Sequence, residues 1–497
     1  MPFVPDAIAV QAPHNRRLMA LFAVLGFSAG LPFYLFATVL FLRLARHGVD
    51  LTIIGFFGWV SLLPTFKFAW APLLDRFAAP GFTRFWGLRR GWIMLAQLGI
   101  GISIVGLALA DPDRNLAVTA FWAVLLAFWT TTVEIAADAW RVELAPDAAT
   151  QGPLSAANLW GYRSAMVAAG SGTLIIADHW GWTLAYLAIA VTACCAFPLV
   201  AITARDEHAT TASRWNALGV GALATLVAYL AVAVLAAAVG WAVLGMAQQM
   251  GIGAKSNVTT PVLVIALLPF VLMALALPRI RRMGPEAPLR RSAALGPYID
   301  IFWRFGYGSM VLLGFVAFYR MGDVLALNMS KPLINAVGYT LTQVGLADSW
   351  VALATSMAGV ALAGWMVTRW PYGLSLTIGA TLSAIGNYSF VWLYHMPVAP
   401  WVLYVATGLE QFGHGFEGTV FVVYLSLLVN PRYAGSQYAF FSGFAFLLPR
   451  LIAGAAGALT KVIGYDGIFV ISGTLTLAPL IFLPFLARLK PRMATDL

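Results

Sequence analysis

GVDLTIIG (48–55) and GYTLTQVG (338–345) are one phrase written twice, 290 positions apart. Gly, Leu, Thr, an aliphatic residue and Gly recur at the same five places. After the first copy an apolar run ends at Asp75-Arg76, and after the second one ends at Thr368-Arg369, so the halves keep step to within three residues. This is an internal repeat. In a very apolar chain, two related multi-helix halves imply a transporter that rocks one half against the other around a midplane site.

The chain is that apolar. Of its 497 residues 61% are hydrophobic and only 10% charged, with a mean hydropathy of +0.83, where soluble domains carry about 25% charged residues. Apolar runs of about 20 residues span a bilayer as helices. Fourteen candidates begin near Leu18, Leu51, Trp92, Leu116, Ala157, Thr183, Ala217, Asn257, Met310, Gln343, Leu374, Pro400, Ala434 and Gly467. The first follows a polar arm with Arg16 and Arg17, lacks a small-residue cleavage site and reads as a retained span. The expected fold is all-α and polytopic: residues 1–203 a six-helix bundle, 204–298 a linker with two extra spans and a basic loop, and 299–497 a second six-helix bundle related to the first by pseudo-symmetry. The inserted pair, roughly 217–280, is expected to face lipid, and 297–308 to lie in the interface.

With the N-terminus inside, 20 of the 30 Lys and Arg fall on cytoplasmic segments and five (Arg43, Arg46, Arg114, Lys255, Lys461) outside. The positive-inside rule therefore supports both the span count and this orientation, with both termini cytoplasmic. The net charge of +10 is mostly this topology signal, so no nucleic-acid partner is expected. The two cysteines, Cys194 and Cys195, are adjacent in one span and read as packing. No nucleotide-binding P-loop is present, which excludes an ATP motor in this chain.

Charges inside spans are expensive and should face a cavity or a partner. Glu134 and Asp138 share a helix face, with Lys67 and Arg163 at comparable depth. Two readings stand for this group: a salt-bridge lattice that holds an inner gate, or a substrate site. Arg320 and Asp323, three apart near the middle of the seventh core span, form either a structural pair or a coupled one. In the coupled reading Asp323 stays ionised until Arg320 is drawn to a substrate anion. Glu410, His414 and Glu417 follow an i, i+4, i+7 stripe. Glu410 and His414 suit a proton relay, and with no second histidine the stripe is a poor zinc set. No metal or cofactor is expected. Glu134 precedes Arg163 by 29 residues and Glu417 precedes Arg450 by 33, which makes the two arginines pseudo-equivalent cavity or gate residues. Gly26-x-x-x-Gly30 with Pro32 allows close helix approach and a kink. Tyr162 and Trp129 are among the aromatics that can stack on sugar faces.

The stretch KFAWAPLLDR (67–76) with RRGW (89–92) resembles the loop between the second and third spans of major facilitator transporters. Asp75, Arg76, Arg89 and Arg90 would there form an inner gate, with Arg369 as their counterpart in the second half. Here Ala71 replaces the leading glycine of that motif and the loop is longer. This longer form, with GFSAGLP (26–32), IAADAW (135–140), GYR (161–163), YRMGD (319–323), LEQFGHG (409–415) and SQYA (436–439), is similar to the AmpG-type muropeptide permease branch. His414 and Glu417 have no match in that pattern.

The resemblance implies a proton-driven, monomeric importer of 1,6-anhydro-muropeptides in the bacterial inner membrane. Asp323, Glu410, Glu134 and Asp138 are its candidate proton-linked carboxylates. Arg320, Arg163, Arg450, Lys67, Tyr162, Trp129, Gln411 and His414 are its candidate substrate contacts. A siderophore, peptide or other sugar-conjugate transporter of the same fold stays open. So does a membrane-embedded enzyme on lipid-linked sugars, although such an enzyme would need its polar groups gathered near one membrane face.

Overall fold

The computed structural model describes residues 12–47, 49, 58–145, 147–202, 275–284, 287–292, 295–453 and 456–489. Nearly all of the first repeat phrase and most of the inserted pair lie outside these residues.

The first half contains α1 (Ala12–Tyr34), a 3-10 segment (Gly58–Ala69), α2 (Ala71–Arg76), α3 (Leu88–Leu109), α4 (Leu116–Leu144), α5 (Ala148–Val167) and α6 (Trp182–Ala193). The second contains α7 (Gly296–Phe305), α8 (Gly308–Phe318), α9 (Met321–Val337), α10 (Ala352–Met366), α11 (Tyr372–His395), α12 (Pro400–Leu428), α13 (Ala434–Ala453) and α14 (Ala456–Leu477). Among the described residues, eight helices are by themselves long and apolar enough to cross a membrane. A further candidate pairs Pro400–Leu428 with Pro431–Leu447, bent by 104°.

Local sequence explains the shape of α1. Proline lacks an N–H and its ring clashes with the carbonyl four residues back. Just beyond Pro32 the helix widens into a π turn, Leu35–Val39, before continuing as Leu40–Arg46. On the same helix, a Cβ added to Gly26 would sit 2.0 Å from the Asn158 carbonyl oxygen, and one added to Gly161 of α5 would sit 1.8 Å from that of Ala23. The two backbones touch because both contact points are glycine, the close approach that small residues permit between membrane helices.

Two apolar clusters fill the first half, one around Phe36, Ile100, Leu126 and Tyr186 and one around Phe22, Ile93, Ile135 and Trp140. The second half has a large cluster around Phe302, Phe315, Phe416 and Phe441 and a smaller one around Phe390, Leu403 and Phe469. Ala139 and Val142 of α4 join the large second-half cluster, while Ala439 of α13 joins the first-half one. The halves therefore interlock where α4 meets α13. The segment expected in the interface forms α7 and is tucked inward. Tyr298, Phe302 and Trp303 are buried, and the Tyr298 hydroxyl donates to the Phe68 carbonyl across the halves.

Arg43 and Arg90 have a task that their sequence positions did not reveal. Arg43, assigned to the outer side by sequence, is buried and donates to the carbonyls of Leu107 and Ala110, each at 2.7 Å, at the end of α3. Arg90 donates to the Val200 carbonyl at 3.0 and 2.5 Å and to that of Ala201 at 3.0 Å. Both satisfy carbonyls that a helix end leaves without partners. Arg90, grouped with the gate by sequence, is thus turned into the first half.

Candidate transport pathway and its gate

At the end of the molecule that carries the 67–90 segment, a carboxylate of one half caps a helix of the other. Asp75, in the last turn of α2, accepts the backbone N–H of Gly435 at 3.0 Å, that of Ser436 at 2.7 Å, and the Ser436 hydroxyl. These N–H groups open α13, where a helix presents unpaired donors and the positive end of its dipole. A Cβ on Gly435 would lie 2.6 Å from the Asp75 oxygen, so only glycine lets the carboxylate come this close. Arg89 completes the node, reaching Asp75 at 2.8 Å and Glu143 at 2.6 Å. Arg76 closes the same helical turn.

A second layer lies against the first. Lys67 stands 4.0 Å from Glu134 and 3.9 Å from Asp138, with its ammonium 5.8 Å from the Tyr438 ring centroid. Arg141, one turn beyond Asp138, reaches Asp138 at 2.9 Å, Ser155 at 2.5 Å, and Ser426 of the other half at 3.2 Å. Arg141 was visible three residues after Asp138 in the sequence, yet nothing there placed Ser426 or Tyr438 beside it. A third node belongs to the second half. Asp300 pairs with Arg304 at 3.0 Å and accepts from Gln437 at 2.8 Å, and Arg304 also donates to Gln437 at 2.8 Å. Burial, the larger influence, lowers the Arg304 pKa from its usual value, and Asp300 opposes it. Arg369, the expected counterpart of the Asp75 node, stands exposed over the Trp365 ring at 4.8 Å.

The central cluster sits on a broken helix. Gly308–Val337 passes as one candidate span, but it is divided at Tyr319 and Arg320 into α8 and α9. Discontinuous helices of this kind form the ligand sites of many transporters. Asp323 lies in the first turn of α9, near the positive end of its dipole. Its carboxylate accepts the Ser383 hydroxyl and stands 3.2 Å from His414 Nδ1 and 3.6 Å from Arg320. Arg320 Nη2 is 2.9 Å from His414 Nε2. One neutral tautomer satisfies both contacts, with Nδ1–H donating to Asp323 and Nε2 accepting from Arg320. Ser383 carried no signal in the sequence. Glu417, on the same stripe of α12 as His414, is fully buried.

Beside this cluster, Gln411 donates to the buried Glu410 at 2.7 Å. Arg163 of α5 faces it from the other half, with Tyr34, Arg320, Glu410 and Tyr162 as its electrostatic neighbours. The Arg163 guanidinium forms no ion pair among the described residues, and its nearest partner is Met166 Sδ at 4.0 Å. Tyr162 also packs on the Phe33 ring at 6.0 Å. Trp129 lies apart, wedged against Gly99 of α3 within the first half. The Arg450 side chain lies outside the described residues.

A polytopic helical fold in two interlocked halves, with a charged cluster on a broken helix and charged contacts between the halves at one end, has the architecture of the major facilitator fold. Solved structures agree on the fold. A double-tryptophan mutant of XylE matches over 98% of both chains with a TM-score of 0.63 at 12% identity. The human organic anion transporter MFSD10 matches over 95% of this chain and all of its own, with a TM-score of 0.56 at 16% identity.

By sequence, several relatives carry AmpG or permease names. The anhydromuropeptide permease of Escherichia coli K12 is 24% identical over 93% of this chain and 78% of its own. A Rickettsia conorii protein carrying the transporter name AmpG 4 is 24% identical over 95% and 97%. No family model matches the chain. Relatives named as transporters and permeases, aligned over more than nine-tenths of the chain, make it a multi-pass membrane transporter and not an enzyme.

Proposed function

We propose that this chain imports an anionic glycopeptide of the 1,6-anhydro-muropeptide class across the bacterial inner membrane, coupled to proton entry, by alternating access. One observation carries the reading: Arg163 and Arg320, from opposite halves, converge on one central region, and among the described residues no carboxylate closes on Arg163. Two cations held at short range favour an anion between them. A muropeptide supplies peptide carboxylates to the arginines and sugar faces to aromatics such as Tyr162. A sequence relative is named anhydromuropeptide permease, and a fold neighbour is described as a proton:xylose symporter.

In this reading residues 1–203 and 299–497 are the moving halves, 204–298 links them, both termini are cytoplasmic and the working unit is a monomer. The Asp75 node is the cytoplasmic gate in its closed state. Asp323 is the first proton-linked carboxylate, with Glu410 behind it, and the Glu134, Asp138 and Lys67 lattice serves the gate. A proton entering across about 150 mV releases about 3.5 kcal/mol, enough for a few-hundred-fold accumulation.

Uptake of labelled anhydromuropeptide into energised vesicles tests the whole reading. Accumulation that collapses with a protonophore supports it, and accumulation indifferent to the protonophore removes the coupling. Binding of ferric siderophore in place of GlcNAc-anhydroMurNAc-peptide would replace the substrate and keep the machine.

A further inference from the structure

The central cluster contains a contact that its donors do not explain. Glu417 has 0% of its surface exposed, and among the described residues neither carboxyl oxygen meets a hydrogen-bond donor. Its carboxyl is aimed at Asp323 and Ser383. The Ser383 hydroxyl has one proton, and it goes to Asp323. The Tyr319 hydroxyl, also nearby, donates to the Leu376 carbonyl at 2.8 Å. Two carboxylates that face one another both accept and neither donates, an arrangement that holds only when a proton lies between them.

The neighbouring charges point the same way. Arg320 reaches Asp323 at 3.6 Å, and its Nη1 lies 2.9 Å from where a Cβ on Gly418 would be. It neutralises one carboxylate. His414 in its neutral tautomer adds no charge, while Glu410 brings a further carboxylate toward Asp323 and Arg163 a further cation toward Arg320. Fully ionised, Glu417 would be a buried anion with no donor among the described residues, which a low-dielectric interior disfavours.

We propose that Glu417 and Asp323 form a carboxylic acid–carboxylate pair holding one proton between them, and that this is the proton carried in transport. The inference rests on the transporter reading for its role, and on geometry alone for the pair. When a substrate anion draws Arg320 away, Asp323 loses its cation and the pair keeps the proton. When the anion has left and the cavity opens, water reaches the pair, the O–H bond breaks and the proton passes to that water, with Arg320 back beside Asp323 and water solvating Glu417; while the pair is dry it keeps the proton. His414, between Arg320 and Asp323, reports the movement of one to the other and acts as a positioning residue.

Infrared difference spectroscopy on the purified full-length protein in lipid nanodiscs, titrated with pH and without substrate, tests the pair directly. The wild type should show a buried carboxylic acid C=O band that Glu417→Gln removes. Glu417→Asp, which keeps an acid in place, should retain the band shifted. Asp323→Asn should also remove it, because a single remaining carboxylate is neutralised by Arg320. In vesicles Glu417→Gln should cut accumulation by about tenfold or more while leaving downhill exchange within about twofold. A band that survives Glu417→Gln and disappears in Glu410→Gln overturns the proposal, as does full proton-linked accumulation by Glu417→Gln. Because the infrared readout needs no substrate, a wrong choice of glycopeptide leaves the test intact.

Discussion

At the gate, Asp75 accepts two backbone N–H groups and a hydroxyl, and pairs with Arg89; at the centre, Glu417 accepts nothing from any donor. Both carboxylates are buried, and both stand beside an arginine. The difference lies in what surrounds them. Asp75 meets the opening turn of α13, where backbone donors are obligatory and free, so its charge is fully matched and the contact works as a latch between halves. Glu417 meets another carboxylate, so its charge can be matched only by a proton. On the proposed function, gate and coupling site use the same residue type, separated by whether the partners are fixed backbone dipoles or titratable side chains.

The largest effect expected from breaking the centre is at Asp323. Asp323→Asn keeps the size and the Ser383 contact while removing the charge, so the few-hundred-fold accumulation available to a coupled carrier should vanish. Counterflow measured in the same vesicles should persist. Loss of both would mean that Asp323 holds the broken helix together and does not handle the proton.

Asp75→Ala breaks the other side of the comparison. Hydrogen bonds to charged groups contribute about 1.5–3 kcal/mol, and Arg89 keeps Glu143 as a partner at 2.6 Å. A shift of about 2 kcal/mol toward the open gate is therefore expected, roughly thirtyfold in population. Spin-label distances between α2 and α13 measure it directly. Unchanged distances would show that the Lys67 and Arg141 layer holds the gate unaided.

Much of this was legible in the sequence. The helical spans and the Gly26-x-x-x-Gly30 contact follow from residue types that have few other uses in a membrane, and the partnership of Asp75 with a later basic residue was implied by the family resemblance. Two features were not. The break at Tyr319 and Arg320 carries no Gly or Pro at the break itself, so hydropathy reads straight through it. The role of Asp75 needs α13, 360 positions away, and a helix N-terminus is made of backbone, which a motif cannot display. The carbonyl partners of Arg90 and Arg43 were hidden for a related reason: an arginine near a helix end looks the same whether it faces water, a partner half or a neighbouring C-terminus.

Arg163→Ala should fall between the two kinds of site. Arg163 has no ion-pair partner to leave stranded among the described residues, so folding should be nearly unaffected. Anionic substrate should lose one charge-assisted contact, about 1.5–3 kcal/mol or roughly tenfold to a hundredfold in affinity. Isothermal titration with the glycopeptide and with a carboxylate-blocked analogue sharpens the point, since the analogue should lose little. Equal losses for both would assign Arg163 to packing.

The smallest effect belongs to the one contact here that looks like a gate and lacks its burial. Lys331 of α9 pairs with Asp348 in the π turn Ala347–Val351, but their side chains are 53% and 41% exposed, against 5% and 2% for Arg89 and Asp75. Water screens an exposed pair and two long side chains lose freedom in forming it, so such pairs contribute about 0–1 kcal/mol. A double-mutant cycle on Lys331→Ala and Asp348→Ala, read by thermal stability, should therefore give a coupling below about 1 kcal/mol, whereas Arg89→Ala and Asp75→Ala should couple by more. Raising the salt concentration should erase the Lys331 coupling and spare the Arg89 one, because a Debye length of about 8 Å reaches exposed charges and not buried ones. A Lys331–Asp348 coupling as large and as salt-resistant as the gate's would mean that this end of the molecule closes over the pair during transport.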